Sequence, residues 1–350
     1  MLSFDDFAQK WSIDSAPLEP VAARYPFRLN GYFEGLITTR EDPIWKQVVP
    51  DTREISDLSG FEDPLAEEEL SVAPNLVHRY PNRVLWLVND RCALHCRFCT
   101  RKRRWPDDDG SPQTPPDLKP ALDYIARREQ IVDVLLSGGD PLLLPEELLD
   151  EILRKLREIR HVQVIRIGSR VPCAMPGAVS QRLARMLSKF HPLYINIHFN
   201  HPAEITEASA RACSTLAKAG IPLGSQTVLL RGVNDSQEIL AELFHRLLAI
   251  RVRPYYLMQM DLTAGTAHFR TPLGTGLKIL RMLRNRISGL AMPQFVVDLP
   301  GGRGKLPLLP NMIREINDRQ MIVRNYTGHS CAYPLLRGEA EELKVEMARL

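Results

Sequence analysis

The chain has 350 residues, of which 44% are hydrophobic and 25% charged. This balance is typical of a globular protein and excludes a disordered or collagen-like chain. The 45 lysine and arginine residues nearly balance the 42 aspartate and glutamate residues, so the net charge gives no reason to expect nucleic-acid binding. No apolar run approaches the roughly 18 residues that a membrane-spanning helix needs, and the acidic N-terminus has no apolar signal sequence. We therefore expect a cytoplasmic protein that binds neither membranes nor nucleic acid.

The first 80 residues are rich in proline and acidic residues, and we expect them to form a helical extension. From Val84 onward, short apolar runs alternate with longer segments of helical periodicity. Strands are expected at Val84–Asn89, Val132–Ser137, Val162–Ile167, Tyr194–Phe199, Gln226–Leu230 and Tyr255–Met260, and helices at 117–128, 145–159, 177–189, 204–219, 235–249 and 275–287. This alternation predicts an α/β core over residues 81–290, with a parallel sheet covered by helices. Because a closed barrel needs eight units, six units predict an open, partial (β/α)6 barrel.

Polar residues directly follow each predicted strand. They are Asp90–Cys92, Ser137–Asp140, Ser169–Arg170, Asn200–His201, Arg231–Gly232 and Asp261. In barrels built from βα units the chemistry lies at the C-terminal ends of the strands, so these residues are candidates for a functional site. Residues 291–350 are predicted to form a short C-terminal segment, in which the strand candidate Phe295–Leu299 leads into a glycine-rich loop ending at Lys305.

Three of the six cysteines lie within eight residues, after the first predicted strand. Cys92, Cys96 and Cys99 have the spacing C-x3-C-x2-C, and thiolates in such a group bind zinc or an iron–sulfur cluster. A structural zinc site needs four ligands, which here would have to include a histidine such as His78 or His95. A four-iron cluster held by three cysteines leaves one iron open to bind another molecule.

This cysteine motif at the end of the first strand of a six-unit barrel resembles that of the radical S-adenosylmethionine (SAM) superfamily. The resemblance implies that Cys92, Cys96 and Cys99 hold a [4Fe-4S] cluster whose open iron binds SAM, and that a 5'-deoxyadenosyl radical is the reactive species. It further implies a set of SAM-binding residues, namely Ser137, Gly138, Gly139, Asp140, His198 and Gln226. The cofactor carries the radical chemistry, and the protein positions and shields it.

The loop Pro300–Lys305 is not a nucleotide-binding P-loop, because Leu306 follows the lysine and the spacing differs. A lysine beside glycines can instead form a Schiff base with pyridoxal 5'-phosphate (PLP). Together with the cysteine motif, this loop resembles the lysine 2,3-aminomutase family. Further similar segments are Asp42–Gln47, Arg79–Arg83, Arg166–Arg170, His198–Pro202, Val228–Asp235 and Arg253–Tyr256. The resemblance implies that Lys305 is the PLP lysine and that Arg79, Tyr80 and Arg83 help to bind PLP.

The resemblance also implies how a substrate is selected. Arg101 matches the arginine that pairs with the carboxylate of the amino acid, and Asp261 and Asp298 match the two acids that hold the distant amino group of lysine. Two carboxylates in one buried site repel each other unless a cation lies between them, which favours a cationic substrate. Lysine and arginine both meet this condition. The basic run Arg101–Arg104 could instead be a solvated surface, and it is too short to predict nucleic-acid binding.

The implied reaction is the conversion of L-lysine to β-lysine, with a reductant such as flavodoxin or ferredoxin, in a homo-oligomer. Two features differ from the family pattern. Arg303 stands where relatives commonly have glycine, so it could contact the PLP phosphate or point outward. The sequence also shows no cysteine-rich tail after Tyr333 and Pro334, which resembles the short forms that modify elongation factor P. Arginine, or a lysine destined for or bound in elongation factor P, therefore stays open as the substrate.

Overall fold

The computed structural model describes residues 2–57, 59–105, 117–309, 311–325 and 327–349. Its strands are β1 (Ser71–Ala73), β2 (Leu76–Tyr80), β3 (Arg83–Asn89), β4 (Asp133–Gly138), β5 (Val164–Ser169), β6 (Leu193–Ile197), β7 (Leu223–Leu229), β8 (Val252–Gln259), β9 (Gln294–Asp298), β10 (Lys305–Pro307), β11 (Ile313–Asn317), β12 (Gln320–Arg324) and β13 (Ser330–Pro334). Its α-helices are α1 (Phe4–Trp11), α2 (Glu19–Arg24), α3 (Gly31–Glu34), α4 (Pro43–Val48), α5 (Arg53–Ser56), α6 (Lys119–Ala126), α7 (Glu146–Glu158), α8 (Val171–Ala174), α9 (Gln181–Leu187), α10 (Glu207–Lys218), α11 (Gln237–Ala249), α12 (Leu273–Leu283) and α13 (Glu339–Arg349).

Strands β1 to β10 form one sheet in sequence order. The strands from β3 to β9 are all parallel to their neighbours. At one edge β1 and β2 are antiparallel, and at the other edge β10 pairs antiparallel with β9. The C-terminal ends of the parallel strands therefore meet at one edge of the sheet, where the polar residues named above are found. This arrangement confirms the α/β fold with a partial barrel, and β9 extends the six predicted parallel strands by one.

Each predicted strand from Val84 to Leu299 is present with shifts of a few residues at its ends. The helices between the strands cover the sheet because each carries an apolar stripe. In α7, Leu149, Ile152, Leu153 and Leu156 are fully buried, which is the i, i+3, i+4, i+7 spacing of a helix that packs on a sheet. Residues of this stripe belong to one large core together with the apolar side chains of the parallel strands.

The ends of the chain form smaller units around this core. The extension contributes helices α1 to α5. It also contributes β1 and β2, which form one edge of the main sheet. The C-terminal segment continues the sheet with β9 and β10 and then forms a separate antiparallel sheet in the order β11, β12, β13. The divisions at residues 80 and 290 stay predictions, and the main sheet runs across both. Among the described residues, every helix is too short or too polar to span a lipid bilayer.

Candidate active site

One cavity of about 520 Å³ lies inside the partial barrel, and its lining includes the residues that follow the C-terminal ends of several strands. The structure brings together in this cavity all the site residues that the sequence predicted. They are Arg79, Tyr80, Arg83, Cys92, Cys96, Cys99, Arg101, Ser137, Gly138, Gly139, Asp140, His198, Gln226, Asp261, Asp298 and Lys305. A volume of this size is typical of sites for small molecules and cofactors.

The three clustered cysteines lie on the loop that follows β3. This loop is held by a close approach of the segment after β4, where a Cβ atom on Gly138 would lie 2.1 Å from the carbonyl oxygen of Asn89. A Cβ atom on Gly139 would lie 2.3 Å from the carbonyl oxygen of Arg91, and Gly138 has a φ of +122°. Only glycine fits these two positions. The Gly–Gly pair therefore sets where the cysteine loop lies, whatever further contacts it makes with a bound cofactor.

The thiols of this loop have an environment that suits a metal cluster. Burial raises the pKa of Cys99 to about 11, with a further contribution from the charge of Cys96, and burial also raises the pKa of Cys92. Iron compensates such buried thiols by binding them as thiolates. Among the described residues, no three His, Cys, Asp or Glu side chains are grouped closely enough to hold a single metal ion. In a four-iron cluster each thiolate binds a different iron, so these cysteines fit a cluster better than a zinc ion.

The two histidines considered as zinc ligands have other partners. His95 donates from Nδ1 to the carbonyl oxygen of Pro26 at 2.7 Å, and its ring stacks on Trp105. His78 Nδ1 contacts the hydroxyl of Tyr124 at 2.9 Å. Neither histidine lines the cavity in the described part of the chain, so the zinc alternative loses its fourth ligand.

A buried polar network that the sequence analysis did not identify surrounds Cys96. Arg170 donates to Cys96 Sγ at 2.6 Å, to Gln47 Oε1 at 2.7 Å and to Glu204 Oε1 at 2.9 Å. Asn200 donates to the same oxygen of Gln47 at 3.0 Å. The signal was available, because three of these residues lie in segments that carry the family resemblance, Asp42–Gln47, Arg166–Arg170 and His198–Pro202. A guanidinium held against Cys96 stabilises the thiolate form.

The residues expected to contact SAM line the same end of the cavity. Asp140 accepts hydrogen bonds from Ser169 Oγ at 2.7 Å and from the backbone N–H groups of Arg170, Val171 and Leu142. Its carboxylate therefore fixes the loop after β5, and its contact with SAM stays a prediction. Burial, together with the charge of Arg170, lowers the pKa of His198 to about 3, so this imidazole is neutral and can both donate and accept a hydrogen bond.

Lys305 also lines the cavity and lies on a hairpin. The antiparallel pairing of β9 and β10 places Lys305 directly opposite Asp298, and the intervening turn contains Gly301, Gly302 and Gly304, all with positive φ. The Nζ atom of Lys305 forms an ion pair with Asp298, and its backbone N–H donates to the hydroxyl of Tyr80 at 2.9 Å. The other predicted PLP residues lie close by, since Arg79 contacts Asp298 at 3.3 Å and the Arg83 guanidinium stacks on the Tyr80 ring at 3.9 Å.

The two predicted acids differ in their partners. Asp298 is paired with both Lys305 and Arg79. Among the described residues, Asp261 has no hydrogen-bond or ion-pair partner. Burial, followed by the charge of Asp298, raises the pKa of Asp261 to about 7. A carboxyl group in this state gains most from a cation placed beside it.

The basic run after Cys99 is not the solvated surface that was considered above. Arg101 pairs with Glu67 at 2.6 Å and Lys102 pairs with Glu54 at 2.6 Å. Arg103 lies 3.1 Å from Asp63. The run therefore attaches the cysteine loop to the N-terminal extension, whose acids neutralise it. Arg303, the unusual residue of the glycine loop, is exposed and lies outside the lining of the cavity, so it points outward.

Comparison with known proteins agrees with this geometry. Residues 86–244 match the radical SAM superfamily, and residues 280–345 match the family described as lysine-2,3-aminomutase. The chain is 48% identical over 309 residues to the L-lysine 2,3-aminomutase of Clostridium subterminale, covering 87% of this chain and 74% of that protein. It belongs to the lysine 2,3-aminomutase family. The L-lysine 2,3-aminomutase of Acetoanaerobium sticklandii is 49% identical over 87% of this chain and 74% of its own, and the glutamate 2,3-aminomutase of Clostridioides difficile is 39% identical over 89% and 74%.

Membership of this family confirms that the chain is an isomerase of the radical SAM class. A radical SAM enzyme uses a [4Fe-4S] cluster and SAM, which agrees with the cysteine loop that lines the cavity. The family includes relatives named for lysine and a relative named for glutamate, so the charges of Asp261 and Asp298 bear on the choice of substrate.

Proposed function

We propose that this protein is an L-lysine 2,3-aminomutase that uses PLP and moves the α-amino group of lysine to the β-carbon, giving β-lysine. The observation that carries the proposal is the pair Asp261 and Asp298. Two carboxylates share one side of the cavity, and Asp261 has a pKa near 7 because of burial and the charge of Asp298. An incoming ammonium group relieves this repulsion, whereas the carboxylate of glutamate would add to it.

The position of Lys305 supports the same proposal. Its ammonium group now occupies the position beside Asp298 that the ε-ammonium group of a substrate would need. Lys305 Nζ is the atom that would bond to PLP, so a bound cofactor would compete with Asp298 for it. Asp298 also contacts Arg79, whereas Asp261 has no hydrogen-bond or ion-pair partner among the described residues and is the acid that a substrate cation would pair with first. This arrangement supports lysine as the substrate and explains why the two acids lie next to the glycine loop.

The residues present fit the cofactors. Cys92, Cys96 and Cys99 are buried thiols on one loop and would hold the cluster, with the neutral His198 and with Gln226 lining the adjoining space for SAM. Lys305 would hold PLP covalently, with Tyr80 and Arg83 beside it. PLP supplies an electron sink for chemistry at an amine, and SAM supplies the radical that removes hydrogen from carbon.

The side chains of the protein then have distinct tasks. Arg101 would bind the α-carboxylate of lysine through two parallel hydrogen bonds, which fix orientation as well as charge. Asp261 and Asp298 would hold the ε-ammonium group, so that the substrate is stretched between the two ends of the cavity. With both ends of the substrate held, its β-carbon has one position relative to SAM, and positioning of this kind is a large part of catalysis. The walls of the partial barrel would shield the reacting groups from water.

The test uses protein prepared without oxygen and loaded with iron, sulfide and PLP. It is mixed with SAM, a strong reductant and, in separate reactions, L-lysine, L-arginine or L-glutamate, and the β-amino acids are measured by mass spectrometry. We expect β-lysine. Formation of β-arginine instead would keep the reaction and change the substrate. Formation of 5'-deoxyadenosine with no β-amino acid would contradict free lysine as the substrate, and a lysine residue of elongation factor P would then be tested.

A further inference from the structure

Glu67 is a cavity residue to which neither the sequence nor the family resemblance gives a role. It lies on the segment 61–70 of the extension, which crosses the cavity between the cysteine loop and the glycine loop. The segment is fixed at several points, since Arg79 donates to the carbonyl oxygen of Leu65 at 2.8 Å and the backbone N–H of Phe61 donates to Leu262 at 2.7 Å. The side chain of Glu67 is 1% exposed.

The carboxylate of Glu67 holds one edge of the Arg101 guanidinium. Arg101 Nε donates to both carboxylate oxygens, at 2.9 and 3.0 Å, and Nη2 donates to Oε1 at 2.6 Å. Burial opposes the charge of Glu67, but the charge and hydrogen bonds of Arg101 hold the pKa of Glu67 below its usual value. The pair is therefore ionised and has a fixed geometry, as is usual for an arginine–carboxylate contact.

Among the described residues, the other edge of the same guanidinium has a single hydrogen-bond partner, which is a hydroxyl group. Its Nη1 atom is aimed at the hydroxyl of Ser137, at a distance of 3.4 Å, and both residues line the cavity. A guanidinium has five N–H groups in a planar fork. With Nε and one side of Nη2 bound to Glu67, the outer edge formed by Nη1 and Nη2 can receive a second carboxylate.

We propose that Glu67 is a positioning residue, which holds Arg101 so that its outer edge receives the α-carboxylate of the substrate. This inference rests on the proposed function, because it concerns the same amino acid substrate. Glu67 does not contact the substrate; it acts through Arg101. An arginine without such a partner is a flexible chain that loses entropy when it binds a ligand, whereas a fixed arginine loses little.

If Glu67 blocked the substrate instead of positioning Arg101, its substitution would have the opposite effect on lysine binding. If Glu67 occupied the place of the substrate carboxylate, lysine would have to displace it. Removing its charge would then strengthen lysine binding. The two roles are separated by the sign of one measured change.

The experiment compares Glu67→Gln with Glu68→Gln. Glu68 is the next residue, its side chain is 71% exposed, and it pairs with Arg103 outside the cavity. Holoenzyme with its cluster, PLP and SAM, but without a reductant, is titrated by calorimetry with L-lysine and with 1,5-diaminopentane. The diamine keeps both amino groups of lysine and has no carboxylate, so it reports on every part of the site except the contact with Arg101.

We expect Glu67→Gln to weaken lysine binding about tenfold or more, as for loss of a charge-assisted contact. The binding of 1,5-diaminopentane should stay within about twofold of that of the wild-type protein, and Glu68→Gln should change neither ligand. Tighter lysine binding by Glu67→Gln would overturn the inference in favour of displacement. Equal weakening of both ligands would overturn it in favour of a general structural role.

A double-mutant cycle keeps the inference testable if Glu67→Gln is unstable. In an Arg101→Gln background, Glu67→Gln should cause no further loss of lysine affinity, because the side chain that Glu67 positions is absent. An independent further loss would contradict the mechanism. Wild-type enzyme that fails to bind lysine, but binds another amino acid, would remove lysine from the proposed function, and the same cycle with that amino acid would still decide the role of Glu67.

Discussion

Replacing Glu54 with glutamine removes the charge that joins the N-terminal extension to the cysteine loop. The side chain of Glu54 is fully buried. It accepts hydrogen bonds from Arg97 Nε at 2.9 and 3.1 Å, from Arg97 Nη2 at 2.7 Å and from Lys102 Nζ at 2.6 Å. Arg97 lies between Cys96 and Cys99, and Lys102 lies just after Cys99. The substitution would leave two buried cations without their counter-ion.

The size of the effect follows from this burial. Breaking a buried ion pair by removing one partner costs about 3–5 kcal/mol, because the remaining charge has lost both water and its partner. For the 350 residues of the chain, an unfolding entropy of about 2.1 cal/mol/K per residue gives about 0.7 kcal/mol/K. The midpoint of thermal unfolding should therefore fall by about 4–7 °C. Burial already lowers the pKa of Lys102 to about 8 despite Glu54, so this ammonium group should lose its proton in the variant.

The assay is differential scanning calorimetry of Glu54→Gln, together with the iron content of the protein after reconstitution. Glu62→Gln is the matched control, because Glu62 pairs with Arg24 at 2.7 Å while both side chains are at least half exposed. An exposed pair contributes about 0–1 kcal/mol, so the midpoint of this control should change by less than about 1.5 °C. We also expect less iron in Glu54→Gln, since the buried pair holds the loop that carries the cysteines. If the two variants unfold at the same temperature and retain equal iron, the reasoning about the buried pair is wrong.

Three further predictions concern Lys305, Asp298 and Asp261. Lys305→Ala should lose the absorbance of bound PLP and keep that of the iron–sulfur cluster; retention of PLP would exclude the role proposed for Lys305. Asp298→Asn should lower lysine turnover by at least about tenfold while SAM affinity changes by less than about twofold, and equal losses would indicate a folding defect. The pKa of Asp261 is about 7, against an ordinary value of 3.8, so between these values the folded protein keeps a proton that the unfolded chain releases. Its contribution to stability should thus fall as the pH rises from about 4 to about 7, and urea unfolding of Asp261→Asn should show a smaller decrease over that range.

The parts of the fold that the sequence predicted best are those with a strong local signal. Buried parallel strands are continuous apolar runs, and α7 has an apolar stripe, so both were located within a few residues. The strands β11 to β13 were not predicted, because most of their residues are exposed or half-buried and show little alternation. The edge strands β1, β2 and β10 are short, and they are defined by pairing with neighbours far along the chain.

The site could be predicted to the extent that chemistry is visible in short motifs. The cysteine loop and the loop ending at Lys305 each have a recognisable spacing, and all the residues that the resemblance implied line one cavity. Their partners could not be predicted in this way. Glu67 is 34 residues from Arg101, and Glu204 is 34 residues from Arg170. A glutamate in an acidic stretch carries no local sign that it will be buried against one arginine.

The pairing of charges in the cavity bears on how Asp261 and Asp298 would affect the binding of a cation. Arg101 is paired with Glu67, Arg166 with Asp133, and Arg170 with Glu204, so these arginines bring little net charge to the site. Among the acids that line the cavity in the described residues, Asp261 alone has no hydrogen-bond or ion-pair partner. Because the pKa of Asp261 is about 7, this carboxyl group is partly protonated at neutral pH. The proton removes a negative charge that a neighbouring cation would otherwise have to balance. An ammonium group within about 4–6 Å lowers the pKa of a carboxyl group by about 1–3 units. Binding of a lysine side chain, as proposed, and ionisation of Asp261 would therefore favour each other, and a site built in this way would select for a cation without holding a permanent excess of negative charge.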